Sequence, residues 1–507
     1  MRCIFVMSRL RNEKFNNYHH YEKMVSLKEQ KEQFVTGLLG GSIPEIYCLT
    51  GVGLSSYFCY KVITREKVFK DNFLIDFSLN CITLLLAITI YNGRLGLLHS
   101  MIIIPAFVIG LINGGMGKPR HKNTQEKTQK SEAKVKQFLP RKPFLTAYRA
   151  HMIMLTNLAV LAVDFRLFPR KYAKVETWGT SLMDLGVGSF VFSMGLVSYR
   201  FHILNEMSSE RKSVPFLRYY LRLIKVNTVK ALPILFLGIS RLVVVKWLEY
   251  QEHTSEYGLH WNFFVTLGLM PIFLAILEPI LVKVPRIIVG FAVAFLYEFL
   301  LQKGGIQYFI LRTDNRMVNL LTMNKEGIFS FIGYFSIFIF GQSFAPFVLP
   351  GFKTPCNIFG YYSPETFKRK NFLAVTTEQG LLIFTIVLHL LFWICNESFL
   401  FDSISRRLVN LPYILWTVSM NSYLLLGYNL IEKLTRPQEL KGSIIEATNK
   451  NGLACFLLGN VLTGAVNVSI DTLSCSSLTT LGILSLYGFI CSVTPLILDK
   501  HGIYLKI

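Results

Sequence analysis

Asp164, Arg170, Lys171, Lys174 and Glu176 fall within one stretch of thirteen residues, and a Phe168-Pro169 step breaks the chain between them. Proline ends a helix because it has no N–H to give and its ring crowds the preceding turn. An apolar helix closed by Asp164 therefore gives way to a short re-entrant or interfacial loop. A carboxylate gathered there with several cations can take a proton from a hydroxyl and stabilise the oxyanion that forms when that hydroxyl attacks. The same residues also make an interfacial salt-bridged turn with snorkelling lysines. The segment LAVDFRLFPRKYAKVETWGTSLMDLGVGSF, Leu161 to Phe190, leaves both readings open by itself.

A second polar cluster, LEYQEHTSEYGLHWNF, runs from Leu248 to Phe263 and carries Glu249, Glu252, His253, Glu256, His260, Trp261 and Asn262. An acidic and aromatic loop in a basic protein suits hydrogen bonding to a polyol head group. His253 and His260 share a face only if the loop is helical, and Gly258 argues against that, so no metal site is expected. Further on, MNKEGIFSFIGY places Asn324 and Glu326 at the start of an apolar run, and SRRLVNLPYILW does the same with Arg406 and Arg407. The two arginines could receive a phosphodiester, or serve as ordinary interface anchors.

The elements that must position these residues follow from composition. Of 507 residues, 52% are hydrophobic, 14% aromatic and 17% charged, against about 25% charge in soluble domains. The charges cluster between apolar runs of roughly 18–23 residues, the length that crosses a ~30 Å hydrocarbon core as a helix. The expected fold is an all-α polytopic membrane protein of about thirteen spans, near 44–62, 73–92, 95–113, 147–163, 182–203, 230–248, 260–281, 284–302, 326–347, 374–397, 409–431, 452–472 and 476–498. Residues 1–43 read as a polar tail, 44–498 as one transmembrane domain, and 499–507 as a short C-terminal tail. The stretch 114–146, rich in Lys, Gln, Glu and Thr, reads as a mobile basic loop.

The net charge of +22 would suggest nucleic acid in a soluble protein. In a membrane protein it reflects the positive-inside rule, so no nucleic-acid partner is expected. Loops 114–146, 205–229 and 432–451 hold the larger share of the basic residues, which places them and the C-terminus in the cytosol and the N-terminus in the lumen. Nine cysteines, mostly within apolar runs, read as small buried hydrophobes without a disulfide framework. The sequon Asn396-Glu397-Ser398 abuts a span and is expected to stay unmodified.

Ionisable residues within or beside spans (Asp76, Asp164, Asp184, Arg241, Glu278, Glu298, Glu326, Glu378, His389 and Asp471) are either functional or paired across helices, and pairing is the expectation for any one of them. His389, in TIVLHLLFW, is the deep histidine of this reading. It has no conspicuous polar partner nearby and is assigned to core packing, which disfavours a histidine-dependent membrane-bound O-acyltransferase. A lipid transporter or scaffold without chemistry is the other alternative. It would show intramembrane charges along a pathway and often inverted repeats; none is visible between the halves.

Together, the strings LAVDF with FPRKYAKVETWGTSLMDLGVGSFVFS, LEYQEHTSEYGLHWNFF, MNKEGIFSFIGY, SRRLVNLPYILW and GNVLTGAVNVSIDT closely resemble the GPI inositol acyltransferases, called GPI-anchored wall transfer protein in fungi. The resemblance extends in looser form from about Leu27 to the C-terminus, and residues 1–23 precede it. It implies a multi-pass enzyme of the endoplasmic reticulum membrane that moves a fatty acyl group, typically palmitoyl, from acyl-CoA to the inositol of glucosaminyl-phosphatidylinositol. Acyl-CoA is then a co-substrate, and no cofactor is implied. In that family an aspartate and a lysine ten residues later are implicated in catalysis, matching Asp164 and Lys174. The resemblance thus makes Asp164 the base and Lys174 the group that stabilises the oxyanion or orients Asp164. Arg170, Lys171, Glu176, Glu252, His253, His260, Trp261, Asn262, Asn324, Glu326, Arg406 and Arg407 are the expected substrate-binding residues. The chain departs from the family pattern at Arg166, where most relatives carry Pro, and at Lys171, where they carry Arg.

Overall fold

The computed structural model describes residues 33–34, 36–64, 72–112, 138–207, 215–247, 254–312, 316–361, 373–435 and 440–505. Every regular element among them is helical. In chain order these are α1 (Ile43–Ile63), α2 (Phe73–Ile88), α3 (Leu95–Ile112), α4 (Pro143–Ala162), α5 (Leu182–Met207), α6 (Phe216–Trp247), the short α7 (Thr254–Tyr257), α8 (Phe263–Leu281), α9 (Arg286–Gln302), α10 (Ile306–Leu311), α11 (Leu320–Met323), α12 (Lys325–Val348), α13 (Thr377–Glu397), α14 (Leu411–Thr435), α15 (Ile444–Lys450), α16 (Gly452–Ser469) and α17 (Ser477–Lys500). The helix starts obey local chemistry. Pro44 and Glu45 open α1, where a missing N–H costs nothing and a carboxylate meets the positive end of the helix dipole. Thr376 and Gln379 form a capping box on α13, satisfying backbone donors that hydrocarbon cannot.

Each of the thirteen expected windows falls on a helix, but ten helices among the described residues are long and apolar enough to cross a membrane. The other three windows correspond to α2, α9 and α14. Helix α2 is interrupted by a π turn at Ser78–Ile82 and stops at Ile88. Helix α9 has 17 residues, and α14 carries Asn421, Asn429, Glu432 and Lys433 along its length. Two expected loops are corrected: within 432–451, α14 runs on to Thr435 and Ile444–Lys450 forms α15, and within 205–229 the connection is shorter, because α5 runs to Met207 and α6 begins at Phe216 and runs 32 residues. Its first turns carry Arg218, Arg222, Lys225 and Lys230, which depress hydropathy yet are good helix formers. The expected loop 114–146 falls largely outside the described residues, and its last four residues already belong to α4.

Helix α12 is the centre of the bundle, with 83% of its apolar window buried. It packs along α5, and two glycines allow the approach. A Cβ on Gly195 of α5 would land on the carbonyl oxygen of Phe338, and a Cβ on Gly341 of α12 on that of Phe192. Lipid tails are as apolar as leucine, so helices in a membrane gain from close backbone packing through small residues. Gly188 of α5 does the same against α14, where a Cβ would sit 2.6 Å from a Thr417 methyl.

Several intramembrane charges among the described residues are engaged, as expected for buried ions. Glu432 of α14 takes a hydrogen bond from Tyr57 at 2.7 Å and faces Lys61 at 3.1 Å, both on α1. Glu298 accepts from the backbone N–H of Leu411 at 2.7 Å, capping α14, while Glu378 meets Lys433 at 3.0 Å. We expect Gly341→Ala to push α5 and α12 apart and lower stability by about 1–3 kcal/mol, read as a fall in the thermal unfolding midpoint of the detergent-purified protein.

Candidate functional site

The chain between α4 and α5 forms the loop that the Pro169 break predicts. Helix α4 ends at Ala162, two residues before Asp164, and a 3-10 turn spans Arg170–Tyr172. Arg170 holds the loop together. Its guanidinium donates to the carbonyls of Val163 (2.9 Å), Phe165 (3.1 Å) and Phe168 (2.9 Å), closing the C-terminal end of α4 with a positive charge where the helix dipole favours one. It stacks on Phe34 at 3.9 Å. Burial pulls its pKa down to about 10, opposed by the Asp164 carboxylate, so it stays charged at neutral pH. Asp164, half-buried beside Arg170, accepts a hydrogen bond from Asn467 of α16 at 2.7 Å. Lys171 pairs with Glu45 of α1 at 2.6 Å, and Tyr172 donates to the same carboxylate at 2.8 Å. Glu176 is exposed.

Lys174 turns to another set of partners. Its ammonium meets Glu256 of α7 at 2.5 Å. Glu256 also lies 4.0 Å from Arg406, and Arg406 donates from Nε to Asp184 at 2.7 Å. Asp184 is 0% exposed and Arg406 4%. Asp184 also takes hydrogen bonds from Ser181 (2.6 Å) and the Val175 N–H (3.2 Å), tying the loop's second half to the start of α5. Burial works against the charge on Arg406, but Glu256 and Asp184 outweigh it and hold its pKa well above the usual range. A second knot lies alongside: buried Glu326, at the start of α12, meets Arg407 at 3.3 Å and also Arg316.

Of the remaining expected site residues, Asn324 and Asn262 organise backbone. Asn324 accepts from the N–H groups of His260 (2.7 Å) and Trp261 (3.0 Å) and donates to the Leu320 carbonyl. Asn262 caps α8 by accepting from Phe264 and Val265 and donates to the Gly238 carbonyl at 2.8 Å. The Trp261 indole donates to Thr266 at 2.8 Å. Glu252 and His253 lie outside the described residues.

A cavity opens between α4 and α5 behind this loop. Its outer end is lined by Lys174, Glu256, Tyr257 and Arg241, and its middle by Leu155, Ala159, Leu182, Leu185, Phe190 and Phe456. Its inner end meets Tyr148, His151, Asn421 and Tyr428. Along α4 the lining residues run from Val160 to Tyr148, about 18 Å of helix at 1.5 Å per residue. The cavity is thus a mostly apolar space with two cations and a carboxylate at one end and hydroxyl, amide and imidazole groups at the other. Of the residues expected at the site, Lys174 lines it among the described residues, while Asp164 stands on the same loop against α16.

These contacts correct the histidine reading. His151 of α4 is a deep histidine too, bound to the Tyr428 hydroxyl at 2.6 Å and to Asn80 at 2.9 Å. His389 does have a polar partner: its Nδ1 faces the Thr385 carbonyl at 2.7 Å and its Nε2 the Tyr47 hydroxyl at 2.9 Å. Both of its ring nitrogens are engaged, and it does not line the cavity. Asp184, Glu256 and Arg241 were legible as ionisable residues near spans, but nothing local marked them as members of one constellation.

The GWT1 family model matches residues 27–498. The chain belongs to the GWT1 family. The GPI-anchored wall transfer protein 1 of Debaryomyces hansenii is 52% identical over 494 residues, covering 96% of this chain and 100% of that protein. The protein of the same name in Candida albicans is 49% identical over 491 residues, covering 95% and 99%. That of Saccharomyces cerevisiae is 39% identical over 509 residues, covering 96% and 100%. The loop, the Arg406 knot and the cavity all lie within the stretch matched by the GWT1 family.

Removing one partner of a buried ion pair leaves an uncompensated charge, at roughly 3–5 kcal/mol. Arg406→Met and Asp184→Asn should each lower the thermal unfolding midpoint sharply. The double variant should lose less than the sum of the two, which a double-mutant cycle on the purified protein measures.

Proposed function

We propose that this GWT1-family chain is an O-acyltransferase of GPI-anchor biosynthesis that moves a fatty acyl group, palmitoyl in the first instance, from acyl-CoA to an inositol hydroxyl of glucosaminyl-phosphatidylinositol. The observation that carries the reading is Lys174 at the polar end of an apolar cavity about 18 Å deep along α4. A long-chain acyl group fits such a space with its thioester at the outer end, beside the ammonium. The names of the relatives, each a GPI-anchored wall transfer protein, support the pathway. The family resemblance of the Asp164 loop supports the reaction.

In this reading Asp164 takes the proton as the inositol oxygen attacks the thioester carbonyl, and Lys174 stabilises the oxyanion. The electron pair then returns, the carbon–sulfur bond breaks, and coenzyme A leaves with the proton that Asp164 held. The inositol ester remains. Asn467 donates to the Asp164 carboxylate, and Arg170, acting on it electrostatically, holds the carbonyls on either side of it, which favours a set geometry over a mobile side chain. Lys171, partly exposed on the loop though paired with Glu45, is the cation of this set best placed to meet the phosphodiester of the glycolipid, while Arg406 and Arg407 are engaged by Asp184, Glu256 and Glu326. We place the enzyme in the endoplasmic reticulum membrane on the family resemblance, with thirteen spans on hydropathy and with the N-terminus lumenal and the C-terminus cytosolic on the loop-charge asymmetry.

Purified protein with labelled palmitoyl-CoA and glucosaminyl-phosphatidylinositol tests the reading. Wild type should yield the acylated lipid. Asp164→Asn, which keeps an acceptor for Asn467, and Lys174→Met should lower kcat by roughly 10²-fold or more while melting near wild type. Wild-type protein that binds the glycolipid without acylating it would point instead to a transporter or scaffold. His389→Ala should retain most of the activity, since a histidine whose two nitrogens are bound within the bundle has no part in this reaction; an inactive but folded His389→Ala would favour a histidine-dependent transferase.

A further inference from the structure

Tyr257 closes α7 at the outer end of the cavity. Its side chain is 8% exposed and lines the cavity with Lys174 and Glu256. Its hydroxyl has no hydrogen-bond partner among the described residues. Buried polar groups in native proteins are nearly always paired, and a buried hydroxyl without a partner costs stability. This phenol therefore calls for a reason to be there.

The backbone around it is fixed from outside. Gly258 takes φ +98, and a Cβ there would meet the Asn324 Cα at 2.7 Å, so the chain turns tightly against the start of α12. The Leu259 N–H donates to the Met323 carbonyl at 3.0 Å, and Asn324 and the Asn262 cap hold the next residues. Tyr257 is thus positioned by its neighbours' bonds, and its own O–H is free to serve something in the cavity. Burial, with the Tyr334 hydroxyl close by, holds the phenol well above its ordinary range, so it acts as a donor rather than as a base.

We propose that Tyr257 is a second catalytic donor of the acyl transfer, its hydroxyl donating a hydrogen bond to the thioester carbonyl oxygen beside Lys174. This rests on the acyltransferase reading above. As the inositol oxygen bonds to the carbonyl carbon, the carbonyl π pair moves onto oxygen, where the Lys174 ammonium and the Tyr257 hydroxyl both hold it. When that pair returns and the thiolate departs, the proton that coenzyme A receives comes from Asp164. Tyr257 keeps its own proton throughout.

Tyr257→Phe removes one unpaired oxygen and nothing that the fold uses. It should melt at or above the wild-type temperature, keep the KM for both substrates and lose on the order of 10–10²-fold in kcat. A second measurement does not depend on turnover. Wild type should bind the ketone analogue of palmitoyl-CoA, which keeps the carbonyl, more tightly than the thioether analogue, which lacks it, and Tyr257→Phe should lose that preference. A Tyr257→Phe protein with wild-type kcat, or with the ketone preference intact, overturns the inference while leaving the acyltransferase reading standing. Wild-type protein that forms no acylated lipid overturns that reading and this inference with it.

Discussion

A charge inside or beside hydrocarbon must find a partner, and the 2.7 Å contact between Asp184 and Arg406 is where that constraint shapes the most structure. Asp184 opens α5, while Arg406 lies just before α14, 222 residues further along the chain. Either charge without the other would be buried at a cost of several kcal/mol. Because they meet, the loop after α4 is drawn toward the α13–α14 connection: Asp184 takes the Val175 N–H, the Gly179 N–H donates to the Ile404 carbonyl, and Ser405 donates to the Thr177 carbonyl. Lys174 inherits its place from this scaffold. Glu256, close to Arg406, is what Lys174 reaches.

Close packing supplies the rigidity that such a site needs. Glycines at 195 and 341 bring α5 and α12 into backbone contact, so the helix carrying Asp184 and the one carrying Glu326 cannot slide independently. Gly333 of α12 plays the same part against Val409, whose carbonyl occupies the space a Cβ would need. Val409 itself sits at φ +51, a conformation unfavourable for a β-branched residue. Strain of this kind persists where surroundings over-determine it, here two residues beyond Arg407. Precise placement of charged groups then comes from backbone contact rather than from the long side chains themselves.

The sequence was most legible where physics acts locally. A span needs about 20 apolar residues, so hydropathy located a helix at each of thirteen windows. It mistook the start of α6, where arginines and lysines continue a helix that hydropathy alone ends. The Pro169 break and the charges around it were also visible, and the structure has a loop there. Long-range pairing left no such trace. Nothing near Asp184 announces Arg406, and nothing near Glu256 announces Lys174, since ion pairs between segments far apart in sequence have no period or spacing. His151 went unnoticed for a related reason: one histidine in an apolar run reads as core until its partners, Tyr428 and Asn80, are seen on other helices.

On the acyltransferase reading proposed above, the cavity between α4 and α5 accounts for the interleaving of ionic groups around it. An apolar chain gains by leaving water for such a space, but a reacting thioester needs charge at one end of it, and charge next to hydrocarbon is stable only when paired. Lys174 meets both demands. It is partly exposed and bound to Glu256, which keeps the ammonium in place without burying it completely. Asp164 is held differently, by Asn467 and beside the Arg170 clamp, so the carboxylate and the ammonium on one short loop are each fixed by a different part of the bundle. Their relative position is set by the closure of the loop itself, from Arg170 on the carbonyls of residues 163–168 to Asp184 on the N–H of Val175. A change in that loop's backbone would therefore disturb the two groups together, even where neither side chain is touched.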